Sequence, residues 1–444
     1  MNAVRILLAI AMFSLFFGGS LVGYGLMPSM LNSIIPDICI SGLVVLAMVR
    51  SEERGFKIKV FGIAYLLALL VFTILSALVT DSAWISVVLF LRLLVRFYVM
   101  FIVLLNIGLS EKTQLWAFRS LAFLFLLQIP VAAGKLLIYG QGESAIGTYA
   151  VHGGGLSTAI PMVATAFLVS FYVGYRRRLA YLLALVGFIA FGIIGGKRAV
   201  FVLVPLVGLF SLWLSVDVRV SKLLKLAPHL LGIGMIFVLA FYATVRLTPT
   251  LNPERMVMGS FDISYVTDYF MSSQVDAYSQ NNEAQGRFST TKVFLDEVND
   301  SASTAMVGFG PGMLLKTEID GAGREKSEDM YGMQYGGGLE QFGVLYGITG
   351  FSWLLVQIGW PGTIVWLAFY VYMFGRFIKL SNSENDPFWK SFQLSMAGYA
   401  IVVLVISLIY GSYMIMGDLM VFVFFLMSAI SFSRQAARVS RVSR

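Results

Sequence analysis

Residues 84–108 read WISVVLFLRLLVRFYVMFIVLLNIG, with only two charges, Arg92 and Arg96. About 20 apolar residues in a helix, rising 1.5 Å each, cover the hydrocarbon core of a bilayer. A helix that is apolar on all sides is either buried in a large core or spans a membrane. Windows of the same kind recur along the chain, roughly at 6–25, 29–49, 60–80, 115–139, 157–175, 179–195, 199–216, 226–245, 350–375, 391–409 and 412–432. The pattern predicts an all-α polytopic membrane protein of about 12 transmembrane helices, with a large outer loop of short helices. The 6–25 window has one basic residue, Arg5, ahead of it and no clear small-x-small cleavage site, so it reads as a retained first helix.

The bulk numbers agree. Of 444 residues, 58% are hydrophobic and 13% charged, and the mean hydropathy is +0.82. A soluble domain carries about 25% charge, so an ordinary soluble enzyme and a disordered chain are both excluded. The single cysteine excludes a disulfide framework, a thiolate zinc site and an iron–sulfur cluster. His152 and His229 are too far apart for a histidine metal spacing.

Orientation follows from the excess of Lys and Arg in cytoplasmic loops. With the N-terminus inside, 19 basic residues fall at inner ends, from Arg5 to the tail at Arg434, Arg438, Arg441 and Arg444. The short loops opposite hold only Lys197 and Arg198. Residues 1–245 would contain spans 1–9, residues 246–347 a polar outer segment, and residues 348–444 spans 10–12 and the basic tail. The 246–347 segment holds 7 basic and 14 acidic residues, a charge of −7, against +15 for the rest. A loop that long is usually functional or a small domain. Within it, Thr290–Val298 and Asp262–Tyr278 read as short helices. Internal repeats of the kind many transporters carry are not visible.

The few cations that break the charge pattern carry the chemistry. Arg92 and Arg96 are four apart, on one helix face. Each costs about 2.5–3.5 kcal/mol at membrane depth, so the pair calls for an anion. Either it forms a folding ion pair with Asp37, or it faces a cavity and takes a phosphate-bearing ligand, for which the arginine fork is suited. Asp418 is the other acid within a span. Gly195-Gly196-Lys197-Arg198 opens the eighth span, where backbone N–H groups and the helix dipole favour an anion. The bland alternative is a turn with two snorkelling cations. His152, in a glycine-rich outer segment, and Glu340, close to the tenth span, are further candidates; loop acids are more often a solvated face. The run Val307-Gly308-Phe309-Gly310-Pro311-Gly312 is a tight glycine–proline element and lacks the lysine and hydroxyl of a nucleotide phosphate loop.

The order of these features resembles the O-antigen ligase and Wzy-type polymerase superfamily. A glycine-rich outer segment, Gly147 to Gly155, precedes the sixth span. A small-residue turn with an arginine, Gly196-Lys197-Arg198-Ala199, opens a later one. Gly286-Arg287 leads an amphipathic helix with Val293-Phe294-Leu295, followed by Gly308 to Gly312. After the loop comes Gly359-Trp360-Pro361-Gly362. The resemblance covers roughly residues 140–375.

It implies a GT-C-like glycosyltransferase of the bacterial inner membrane with its site on the periplasmic side, using no cofactor, metal or nucleotide sugar. The donor would be a glycan on undecaprenyl pyrophosphate, which is the leaving group. Arg198 and Arg287 would neutralise that pyrophosphate; from the residues of this sequence itself, Glu340, His152 or another acid would stand in for the family's base, or the base role is dispensable. Arg92, Arg96, Lys197, His152, Gly308 and Gly310 would bind substrate. Implied partners are the lipid-linked glycan, membrane lipid, a flippase and a chain-length regulator, with no nucleic acid. Many relatives carry a His-Asn pair ahead of the Gly-x-Pro-Gly step; here that place reads Ile348-Thr349-Gly350. The departure favours a polymerase of O-antigen, capsule or exopolysaccharide over a ligase that moves glycan to a lipid or protein. A transporter of anionic solutes is the expectation from another class, with the acidic outer segment against it.

Overall fold

The computed structural model describes residues 2–52, 61–140, 142, 144–151, 155–197, 199–216, 231–232, 234–235, 238–239, 241–243, 245–246, 251–256, 258–268, 287–314, 348–415 and 418–442; side chains at 51–52, 287–289 and 436–442 are excepted. Among the described residues the structure is helical, without strands. The helices are α1 (Asn2–Gly23), α2 (Ser29–Glu52), α3 (Ile63–Val79), α4 (Trp84–Ile107), α5 (Glu111–Tyr139), α6 (Gly155–Gly174), α7 (Leu179–Ile194), α8 (Val200–Ser215), α9 (Arg287–Asn299), α10 (Ala302–Val307), α11 (Gly350–Ser383), α12 (Pro387–Ile409) and α13 (Asp418–Val442).

Eight of these are long and apolar enough to cross a membrane: α1, α2, α4, α5, α6, α11, α12 and α13. The expectation of about 12 spans is thus met in part. Three further windows form apolar helices of only 16 or 17 residues, α3, α7 and α8, each about 25 Å long and at the short limit for a span. Half of the 226–245 window lies outside the described residues, as do all of 269–286 and 315–347 of the polar segment.

Side-chain contacts fix which helix ends share a face. Arg434, late in α13, reaches Glu111 at the start of α5 (3.2 Å) and Glu384 just past α11 (3.8 Å). Arg5 Nε donates to Thr113 Oγ1 at 3.2 Å, and Tyr175 after α6 packs on Phe388 at the start of α12. This is the basic face. At the far face, the N–H of Gly350 donates to the Gly411 carbonyl, and Gly155 abuts the Tyr413 ring.

α12 is the hub. It is buried nearly all round and packs against α6, α8 and α11. Small residues permit this closeness: Gly398 faces Ala166 and Ser211, and Gly174 faces Ser391. Small-residue seams of this kind let helix backbones approach where lipid removes the hydrophobic drive. The last connection is longer than the two residues that separate the 391–409 and 412–432 windows. α13 begins only at Asp418, and Tyr410, Gly411, Ser412, Met414 and Ile415 ahead of it are buried. Glycine, serine and tyrosine break the helical run while still filling core space.

α11 is interrupted at Gly359, whose φ is +64° and ψ −172°. The sequence there is Gly359-Trp360-Pro361-Gly362. Proline supplies no N–H to the preceding turn, and only glycine takes this φ without strain.

Candidate functional site

Two polar clusters and one backbone junction lie in the half of the molecule toward the far face.

The first cluster joins α2, α4 and α13. Arg92 Nε donates to Asp37 Oδ2 at 2.8 Å, and its Nη2 donates to the Ser33 carbonyl at 2.7 Å and the Ser33 hydroxyl at 3.0 Å. Arg96 lies 3.6 Å from Asp37 and forms its close ion pair with Asp418 at the first turn of α13. A carboxylate at a helix N-terminus is also favoured by the dipole. The Arg96 side chain is 5% exposed, whereas Arg92, Asp37 and Asp418 are each about 30% exposed. Two cations meet two anions, so the charge closes internally. The anion that the sequence demanded is found within the chain: the folding-pair alternative describes Arg92, and Arg96 takes Asp418. As substrate ligands both arginines would first have to give up these carboxylates.

The second cluster holds the 144–151 segment. Lys135 Nζ, near the far end of α5, donates to the carbonyls of Gly147 (2.9 Å) and Ala150 (2.8 Å). Two turns earlier, Gln128 Oε1 accepts from the Thr148 N–H at 2.7 Å. The Thr148 hydroxyl donates to the Phe16 carbonyl on α1, and Tyr149 OH meets Ser157 Oγ, both at 2.7 Å. Residues 147–150 are thereby clamped between α1, α5 and α6. Lys135, Gln128 and Tyr149 are missing from the sequence-based set. A signal was present: Gln128 and Lys135 are seven apart, on one face of the otherwise largely apolar second half of α5.

The Gly195-Gly196-Lys197 turn is a Schellman cap closing α7. The N–H of Lys197 donates to Gly192 O (3.0 Å) and that of Gly196 to Ile193 O (2.9 Å), with Gly196 at φ +69°. The N–H of Gly195 donates to Phe191 O. The amides expected to meet an anion here are spent on the end of the preceding helix.

The junction forms where the Gly308–Gly312 element seats on the break in α11. The Phe309 N–H donates to Val356 O at 2.7 Å, and the Gly312 N–H to Gln357 Oε1 at 2.9 Å. Ser76 of α3 donates to both the Val307 and Gln357 carbonyls. Gly308 and Gly310, expected to bind substrate, permit close approach of the backbone here. A Cβ at Gly308 would stand 2.6 Å from Val356 O, and one at Gly310 would collide with Thr80 and Ser82. Beside the junction, α9 forms as predicted and docks on α11: Ser352 Oγ donates to Thr291 Oγ1 (3.1 Å), and Trp360 Nε1 to Asn299 Oδ1 (2.9 Å). Arg287 opens α9. His152, Arg198 and Glu340 lie outside the described residues.

Comparison with family models and with curated proteins gives no match to this chain. The site is therefore read from its own geometry.

Proposed function

We propose that the protein is a membrane glycosyltransferase that polymerises lipid-linked oligosaccharide repeat units at the far face. The observation that carries this is the union of the Gly308–Gly312 element with the break at Gly359. Two of the sequence elements behind the resemblance, about 50 residues apart, pack as one unit with α9 at its side. Such a union supports reading them as parts of a single site.

In this reading the donor is a glycan on undecaprenyl pyrophosphate in a bacterial inner membrane. A hydroxyl of the incoming repeat unit attacks the anomeric carbon. The bond from that carbon to the pyrophosphate oxygen breaks, and the lipid pyrophosphate leaves with the electron pair. Arg198 and Arg287 stabilise the charge that develops there, the term expected to dominate such catalysis. Glu340 or His152 takes the hydroxyl proton. Arg92 and Arg96, already paired, hold α2, α4 and α13 in register around the site.

The test is substitution in cells that make the polymer. Arg198→Ala and Arg287→Ala should each abolish long-chain product at unchanged protein level, and unaltered chain length in both would remove the enzyme reading. Product transferred to a lipid or protein acceptor would turn the reading to a ligase. One observation favours a transporter of anionic solutes: Arg92, Asp37 and Asp418 are part-exposed at membrane depth, as residues lining a path are. Solute uptake by vesicles holding the purified protein would support that alternative.

A further inference from the structure

A groove of about 410 Å³ runs between α1 and α5, apart from the clusters above. Its walls include Phe13, Phe17, Phe123 and Leu124, and Trp116, Arg119 and Ser120 close the end nearer the basic face. Phe13 and Phe17 stack at 5.1 Å between ring centres. Phe13 is 56% and Phe123 64% exposed, so the apolar wall faces outward.

Arg119 sets this groove apart. It stands eight residues into α5, about 12 Å along the helix from the basic face. It is exposed, and among the described residues no carboxylate pairs with it. Glu111, the acid at the start of α5, is engaged by Arg434. An unpaired guanidinium at that depth is costly, and its stem can carry the charge only toward the basic face. An anion supplied by the bilayer removes the cost.

The geometry points to a binding site for an anionic glycerophospholipid from the leaflet at the basic face. The guanidinium fork would take the phosphate in a bidentate contact, with Ser120 Oγ as a further donor. Trp116 would lie at headgroup level, where its amphipathic ring is favoured. One acyl chain would fill the channel over Phe13, Phe17 and Phe123. Arg5, whose Nε reaches Thr113 one and a half turns earlier on α5, adds positive charge on the same side and selects a net-negative headgroup over a zwitterionic one.

The test uses the full chain in nanodiscs of phosphatidylcholine and reads quenching of its tryptophan fluorescence by brominated phosphatidylglycerol. Wild-type protein should bind the anionic lipid in preference to brominated phosphatidylcholine. Arg119→Gln should weaken phosphatidylglycerol binding about fivefold, the factor set by one basic residue at a lipid surface, and leave phosphatidylcholine binding unchanged. Arg119→Lys should keep most of the preference. Equal binding of the two lipids by wild type, or unchanged phosphatidylglycerol binding by Arg119→Gln, overturns the proposal. So does a disulfide between two copies of Phe123→Cys in the wild-type background, because a second chain would then occupy the groove. None of these readouts depends on polymer synthesis.

Discussion

The N–H of Phe309 donates to the carbonyl oxygen of Val356 across 2.7 Å. Val356 lies within α11 just ahead of the break at Gly359, so its carbonyl loses its partner four residues on, where Trp360 follows the non-helical glycine. A carbonyl stranded in a buried helix break costs about 1–3 kcal/mol. The Gly308–Gly312 element restores the bond, and the break and the element therefore depend on each other.

Gly359→Ala should lower the unfolding midpoint in detergent by several degrees. A left-handed φ costs a non-glycine residue about 1–2 kcal/mol, and a Cβ would stand 2.7 Å from the Met306 carbonyl oxygen. Gly308→Ala should do the same by colliding with Val356 O. Gly134→Ala, in open surroundings within α5, is the control and should cost nothing. Fluorescence-detected size exclusion after heating measures all three.

Asp418→Asn should destabilise more than Asp37→Asn. Asp418 neutralises the buried Arg96; removing one partner of a fully buried pair costs about 3–5 kcal/mol, and less here because Asp418 is itself 29% exposed. Asp37→Asn leaves Arg92 its two bonds to Ser33 and Arg96 its pair with Asp418. The double variant Arg96→Leu with Asp418→Leu should recover most of the stability. A double variant no better than Asp418→Asn would show that the pair does not act as a unit.

Lys135→Met should release the 144–151 segment and not the fold. Hydrogen bonds to charged groups contribute about 1.5–3 kcal/mol, and two carbonyls lose theirs. Limited proteolysis within 140–154 should quicken while the monodisperse peak persists. If the proposed function holds, polymer length should also fall, and Lys135→Arg should restore part of it.

Gly196→Asn should leave stability and product near wild type, whereas Gly196→Val should lower both. Asparagine tolerates the left-handed conformation and a β-branched residue does not. Loss of product in Gly196→Asn with full stability would argue that the turn binds a ligand as well as capping α7.

The membrane-spanning character was legible because it is local. A run such as 84–108 declares its solvent without reference to any other residue, and an amphipathic stretch such as Val293-Phe294-Leu295 declares α9. The need for an anion near Arg92 and Arg96 was legible for the same reason, since the cost of a bare cation in lipid belongs to the residue itself. Its supplier was not legible in full: Asp418 is more than 320 positions from Arg96, and only the packing of α13 on α4 brings them together. The Gly359 break hid inside a continuous apolar run, because hydropathy does not report φ. The cap that Gly195-Gly196-Lys197 puts on α7 was not legible, because a glycine pair between two helices can end the first or open the second. Lys135 was passed over because its partners are backbone carbonyls, which every sequence contains. The sequence by itself determined which segments leave water and which charges are too costly to stand alone. The tertiary structure decided which carboxylate, carbonyl or helix end meets each of them, because those energies depend on distances between residues far apart in the chain.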